Sequence, residues 1–261
     1  RVQEKLRVLF GTQGTVLPLS CSGTGAMTAA VYGLFNPGEK VLVVEAGKFG
    51  QRWKAIAVSR GLEVVTLEVP WGRAVRPEQV EEALAADPAI TGVLIQLSET
   101  STGVLHPVGE VAWITRQRDV LLVVDGISAV GLSPCPLDEW GLDCLLTGSQ
   151  KGLMLPPGLA LLALSERAWE KAAGVTPGCF YFNLLKEREY VAKGQTLFTS
   201  AVNLIVGLDE SLDMLLENGL EAVYAKRGDK IIIRAAWSAS GTWAGWTGPT
   251  CWPGCTLWTG A

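Results

Sequence analysis

Residues 121–151 read LLVVDGISAVGLSPCPLDEWGLDCLLTGSQK. The stretch opens on four aliphatic residues closed by Asp125. A second short apolar run, residues 144–147, ends in small polar residues ahead of Lys151. A strand that is apolar at consecutive positions has both faces buried, which calls for a parallel sheet covered by helices on each side. Runs of the same kind occupy residues 15–19, 40–44, 62–67, 92–96 and 160–164. Helix-length segments at residues 24–34, 51–60, 77–86 and 108–118 separate most of them. The alternation predicts an α/β domain: a mostly parallel sheet with helices on both faces.

With 261 residues, 48% hydrophobic and 18% charged, the chain can bury a full core. Its formal net charge of −4 gives no basic footprint, so nucleic-acid binding is set aside. No apolar run approaches the roughly 20 residues that span a bilayer. The opening RVQEKLRVLF is charged and amphipathic, unlike a secretory signal, so the expected compartment is the cytoplasm, with no membrane contact. The six cysteines (Cys21, Cys135, Cys144, Cys179, Cys251 and Cys255) lack CxxC spacing and read as reduced, mostly buried thiols. The single histidine, His106, stands before Pro107 in an expected loop. One such imidazole serves neither a Ser-His-Asp triad nor a zinc site, and no metal is expected.

Three segments follow from the pattern. Residues 1–194 form the sheet domain, and residues 195–234 begin with apolar positions at helical spacing over 195–217, predicting a long helix that leaves it. Residues 235–261 carry no charge and no period, yet hold five of the ten tryptophans. That tail reads either as an out-of-frame or otherwise non-native terminus or as an apolar tail covered by a partner. No role in the active site is expected of it, and exposed it would lower solubility.

Ligands of open α/β sheets collect at the carboxyl ends of the strands, so Asp125 and Lys151 should converge on one crevice. An aspartate there can keep a pyridine nitrogen protonated, although a helix N-cap would use the same residue. A lysine there suits imine chemistry if it is desolvated, although a solvated loop charge looks the same in sequence. Between the first strand and first long helix lies the glycine-rich turn Ser20-Cys-Ser22-Gly23-Thr24-Gly25. Its free amides, the helix dipole and the hydroxyls of Ser22 and Thr24 can bind a phosphate. The GxGxxG spacing of dinucleotide sites is absent, and Glu45 is only a partial substitute for a ribose-binding acid.

From residue 1 to 217 the chain resembles the class V aminotransferases, the alanine–glyoxylate and serine–pyruvate group of fold type I pyridoxal-phosphate (PLP) enzymes. The carriers, in order, are SGTGAM (22–27), AGKFGQRW (46–53), SETSTGVLHPV (98–108), VVDGISAVG (123–131), GSQKGLMLPPG (148–158) and QTLFTSAVNLIVGLDESL (195–212). The resemblance implies that Lys151 holds pyridoxal 5'-phosphate as a Schiff base and shuttles the substrate α-proton, and that Asp125 pairs with the pyridine nitrogen. It implies further that Phe49 stacks on the ring, Ile127 packs on the opposite face, and Thr100 contacts the ring hydroxyl. Ser22, Gly23, Thr24 and Gln150 would bind the phosphate, with Thr196 and Thr199 reaching the phosphate of a neighbouring subunit in a homodimer.

Family members are longer at both ends, so the chain is expected to start after an N-terminal arm and to lack most of a small C-terminal domain. That domain supplies the arginine for the substrate carboxylate. The implied activity is transfer of an amino group from alanine or serine to a 2-oxo acid such as glyoxylate or pyruvate. A truncated PLP-binding protein without turnover is the alternative. Related cysteine desulfurases carry a histidine on the ring and another before the lysine, where this chain has Phe49 and Gln150.

Overall fold

The computed structural model describes residues 1–231. In chain order the elements are α1 (Val2–Phe10), β1 (Val16–Leu19), α2 (Gly23–Leu34), β2 (Lys40–Glu45), α3 (Lys48–Arg60), β3 (Glu63–Glu68), α4 (Pro77–Ala86) and β4 (Ile90–Gln96). A two-residue hairpin follows, β5 (Ser98–Glu99) with β6 (Val104–Leu105), then α5 (Val108–Gln117), β7 (Leu121–Asp125), α6 (Leu137–Trp140), β8 (Cys144–Gly148) and β9 (Ala160–Leu164). The last elements are α7 (Glu166–Ala173), α8 (Leu184–Ala192), α9 (Val202–Leu216) and α10 (Leu220–Ile231). Residues 235–261, with Cys251 and Cys255, lie outside the described residues, as does Arg234.

Seven strands form one sheet in the order β1-β9-β8-β7-β4-β2-β3. β8, β7, β4, β2 and β3 are mutually parallel, and β9 runs antiparallel to both of its neighbours. β1, beyond β9, therefore points the same way as β8. All strands but β9 thus end at one edge of the sheet, the edge from which α2 and α3 start. The expectation of a mostly parallel α/β sheet holds.

The pleat sorts the apolar runs into two cores. Leu42, Val44, Val93, Ile95, Leu122, Val124 and Leu145 face the side covered by α1, α4, α5 and α9. Val41, Val43, Leu94, Leu121, Val123, Cys144 and Leu146 face the side covered by α2, α3, α7 and α8. Successive residues of one strand point to opposite faces, so a run such as Leu121-Leu-Val-Val supplies both layers at once.

Two elements differ from the sequence reading. The helix expected from residue 195 begins only at Val202. Gly194 sits at φ +69, the Thr196 hydroxyl donates to the carbonyl of Phe198 (2.8 Å), and the Ala201 amide donates to Ser20 Oγ (3.1 Å). Residues 195–201 are thus tied locally and to the end of β1, and these bonds compete with a helical ladder. Thr196 and Thr199 therefore lie on an irregular segment. Conversely, α3 starts at Lys48, three residues before the expected start, which places Phe49 in its first turn. Among the described cysteines all four are free, Cys135 and Cys144 buried, Cys21 and Cys179 half-buried.

Candidate active site

Asp125 closes β7 at the centre of the sheet, paired in register with Gln96 of β4 and Leu146 of β8. It is 4% exposed. Its Oδ1 accepts from the Ile127 amide (2.8 Å), and among the described residues Oδ2 accepts no hydrogen bond. Burial pushes this carboxyl up to about 7. The Ile127 bond opposes the rise, the charge of Glu99 adds to it, and Arg52 and Lys151 pull it back. A cationic nitrogen against Oδ2 would return the group to its ionised form.

The loop after β8 carries Gln150 and Lys151. Ser149, buried, anchors it: its amide donates to Leu159 O (2.8 Å) and its hydroxyl to Pro156 O (2.7 Å). The Met154 amide closes a turn on Lys151 O (3.0 Å). Lys151 and Gln150 are exposed, so the desolvation that imine chemistry favours is not provided by the described residues. Lys151 is nonetheless one of the two cations felt by Asp125, which fits the expected convergence of the two.

Ser22 is the N-cap of α2, its Oγ accepting the Gly25 amide at 3.4 Å. The amides of Gly23 and Thr24 open the helix without an acid in the first turn. A Cβ on Gly23 would stand 2.4 Å from Cδ1 of Ile127, so two of the expected cofactor residues touch, and only glycine permits the approach. The Thr24 hydroxyl accepts from Arg52 (3.0 Å), whose guanidinium lies 4.8 Å over the Phe49 ring. Thr100, exposed, shares a hydroxyl–hydroxyl bond of 2.6 Å with Ser128.

Asp125, Lys151, Gly23, Thr24, Ile127, Phe49 and Thr100 therefore lie around the strand ends, β2 and β4 forming the point where connections diverge to the two sides of the sheet. Such a switch point is where open α/β sheets bind ligands. Thr196 and Thr199 flank the end of β1 instead, lining a small cavity with Ser20, Tyr181 and Glu187. His106 is buried, its Nδ1 accepts from the Val75 amide (3.1 Å), and burial holds its ring down at about 4. It is a neutral structural group.

Three polar residues of the site had no role in the sequence reading: Glu99, Ser101 and Arg52. Glu99 is fully buried. The available signal is a carboxylate three residues beyond the strand that ends at Gln96, inside SETSTG.

A sequence model of the family described as aminotransferase class-V matches residues 1–233. The chain belongs to the class V aminotransferases. Members of this family are PLP-dependent. The class V chain is 37% identical over 242 residues to the soluble hydrogenase 42 kDa subunit of Anabaena cylindrica, covering 91% of the chain and 63% of that protein. It is 38% identical to the serine–glyoxylate aminotransferase of Methylorubrum extorquens, covering 85% and 58%. The solved alanine–glyoxylate aminotransferase of a Nostoc species superposes with a TM-score of 0.83 at 30% identity, covering 86% of the chain and 60% of that structure. The class V chain thus spans about three fifths of the length of these relatives. Its donor set fits PLP: a buried carboxylate with a free oxygen, a lysine on the next strand's loop, an aromatic on a helix's first turn, and open amides with hydroxyls at a helix start.

Proposed function

We propose that the whole protein is an aminotransferase that moves an amino group from a small amino acid, alanine or serine, to a 2-oxo acid, glyoxylate or pyruvate. The observation that carries this reading is Asp125, a buried carboxyl poised near neutrality at the end of the central strand, one strand from Lys151. PLP, when bound, supplies a protonated pyridine ring that draws electron density from the substrate's α-carbon.

In this reading Lys151 would hold the cofactor through a covalent link at Nζ and, once released from it, carry the proton to and from the α-carbon. Its exposed place on the loop leaves Nζ free to move between the two tasks. Asp125 would keep the ring nitrogen protonated by offering Oδ2. Phe49 and Ile127 would pack on opposite faces, and Thr100 would meet the ring hydroxyl. Ser22, Gly23, Thr24 and Gln150 would receive the phosphate, where the dipole of α2 favours an anion. Phe49 and Gln150 stand where desulfurases carry histidines, which favours amino-group transfer over sulfur removal.

The proposal includes a homodimer working in the cytoplasm, with Thr196 and Thr199 reaching a partner's phosphate. Beside these threonines Phe180 is 84% exposed, and Tyr181 stacks on Phe198 at 4.8 Å, an aromatic surface suited to burial by a second copy. Borohydride reduction of the PLP-loaded chain followed by peptide mapping tests the central assignment. The adduct is expected on Lys151. An adduct on Lys48, which lies over Trp71, or on Lys54, which pairs with Glu45, would overturn it.

A further inference from the structure

We infer that Glu99 is a positioning residue of this site, fixing the first turn of α3 so that Phe49 is presented to the cofactor ring. The inference rests on the reading that Phe49 stacks there. A helix leaves its first amides without intrahelical acceptors, and a side chain at the N-cap ordinarily takes one of them. Here the N-cap is Gly47, which has no side chain. The first three amides of α3 are satisfied instead from a hairpin some fifty residues further along the chain. Glu99 Oε2 accepts from Phe49 (3.1 Å) and Gly50 (3.2 Å), while Ser101 Oγ accepts from Lys48 (3.0 Å). Glu99 Oε1 holds Ser101 in place, accepting from its amide (3.1 Å) and its hydroxyl (2.5 Å).

The glycine is part of the device. A Cβ at Gly47 would stand 2.5 Å from Ser101 Oγ and 2.6 Å from the Glu99 carboxyl carbon, so an ordinary N-cap side chain would displace the distant one. The hairpin that carries Glu99 also carries Thr100, and it is fastened to β7 by the Leu97 amide donating to Asp125 O (2.9 Å). One carboxylate thus connects the residue on the ring face, the residue at the ring hydroxyl and the strand that bears Asp125. All four of its hydrogen bonds are to protein groups, so it acts through Phe49 without touching the ring.

The test uses the whole chain and two readouts. In the cofactor-free protein, Glu99→Ala should speed hydrogen exchange of the Phe49 and Gly50 amides at least about tenfold, leaving the amides of β7 unchanged. In PLP titrations followed by absorbance, Glu99→Ala should weaken binding about tenfold, and adding it to Phe49→Leu should weaken binding by no more than about twofold beyond Phe49→Leu alone. Should Glu99→Ala not fold, Glu99→Gln carries the test. A glutamine offers one acceptor position instead of two, so at least two of the four donors lose their partner and PLP affinity should fall about threefold, with the same non-additivity. Unchanged exchange, or losses that multiply independently of Phe49, would overturn the positioning role while leaving the cofactor site intact. A wild-type chain that takes up no PLP would instead overturn the functional reading, and the positioning role with it.

Discussion

Replacing Asp125 by asparagine should stabilise the cofactor-free protein more at pH 8 than at pH 5. The carboxyl ionises near 3.9 in the unfolded chain and, because burial penalises its charge, only at about 7 in the fold. Between those values the native state binds a proton that the unfolded state has released. Unfolding free energy therefore falls with rising pH, by about 1.4 kcal/mol per unit. The contribution is fully present below about pH 4 and is lost as the pH climbs through about 7. Asparagine keeps the acceptor for the Ile127 amide and does not titrate. From pH 5 to pH 8 the variant's advantage should therefore grow by about 2–3 kcal/mol. Other groups slope with pH too. His106, held at about 4, loses stability as the pH falls below its unfolded value, and Glu39, Asp87 and Asp213, held low by their partners, matter only in acid. These groups are common to both proteins and cancel in the difference. Urea unfolding of both at pH 5, 6, 7 and 8 measures it, and parallel pH curves would refute the account of Asp125.

Two further outcomes follow from packing. Gly23→Ala should cost about 1–3 kcal/mol as Ile127 gives way, and should lower PLP affinity at least about tenfold because it displaces both the phosphate turn and the residue under the ring; absorbance titration beside thermal unfolding separates the two. Leu122→Ala, at a position with no exposure in the central strand, should cost about 2–5 kcal/mol by denaturant unfolding with little change in PLP affinity.

What was legible in the sequence was what is locally encoded. Val41 to Val44 and Leu121 to Val124 show their two-sided burial in composition alone, and all seven sheet strands lie within two residues of the bounds their sequence runs predict. The direction of β9 is not encoded locally, since it depends on the loop of residues 149–159 turning back without a crossover helix. The early start of α3 was hidden for the same reason. Its cap comes from Glu99 and Ser101, while the local signal, Gly47, reads as a loop residue. Glu99 itself is hidden in the sequence because a lone carboxylate is ordinarily a surface group, and only the convergence of four donors makes its burial tolerable. The irregular path of residues 195–201 depends on Ser20, far back in the chain, and helical periodicity alone extended through it.

The single reversed strand governs the order in which this molecule can be assembled. Val16, in the first strand, has its sheet partner in Ala163, in the last, and β9 must already lie against β8 before β1 has an edge to join. During synthesis the strands from β2 to β8 can associate as they emerge, while β1, and with it the turn at Ser22 to Thr24, waits for the far end of the sheet domain. Pairings of such long sequence separation come late and slowly. The parallel centre and the seat of Asp125 should thus form first, with the phosphate turn joining last. Until that closure the outer edge of β9 stands open to pairing with other chains, the period in which this protein is most exposed to aggregation.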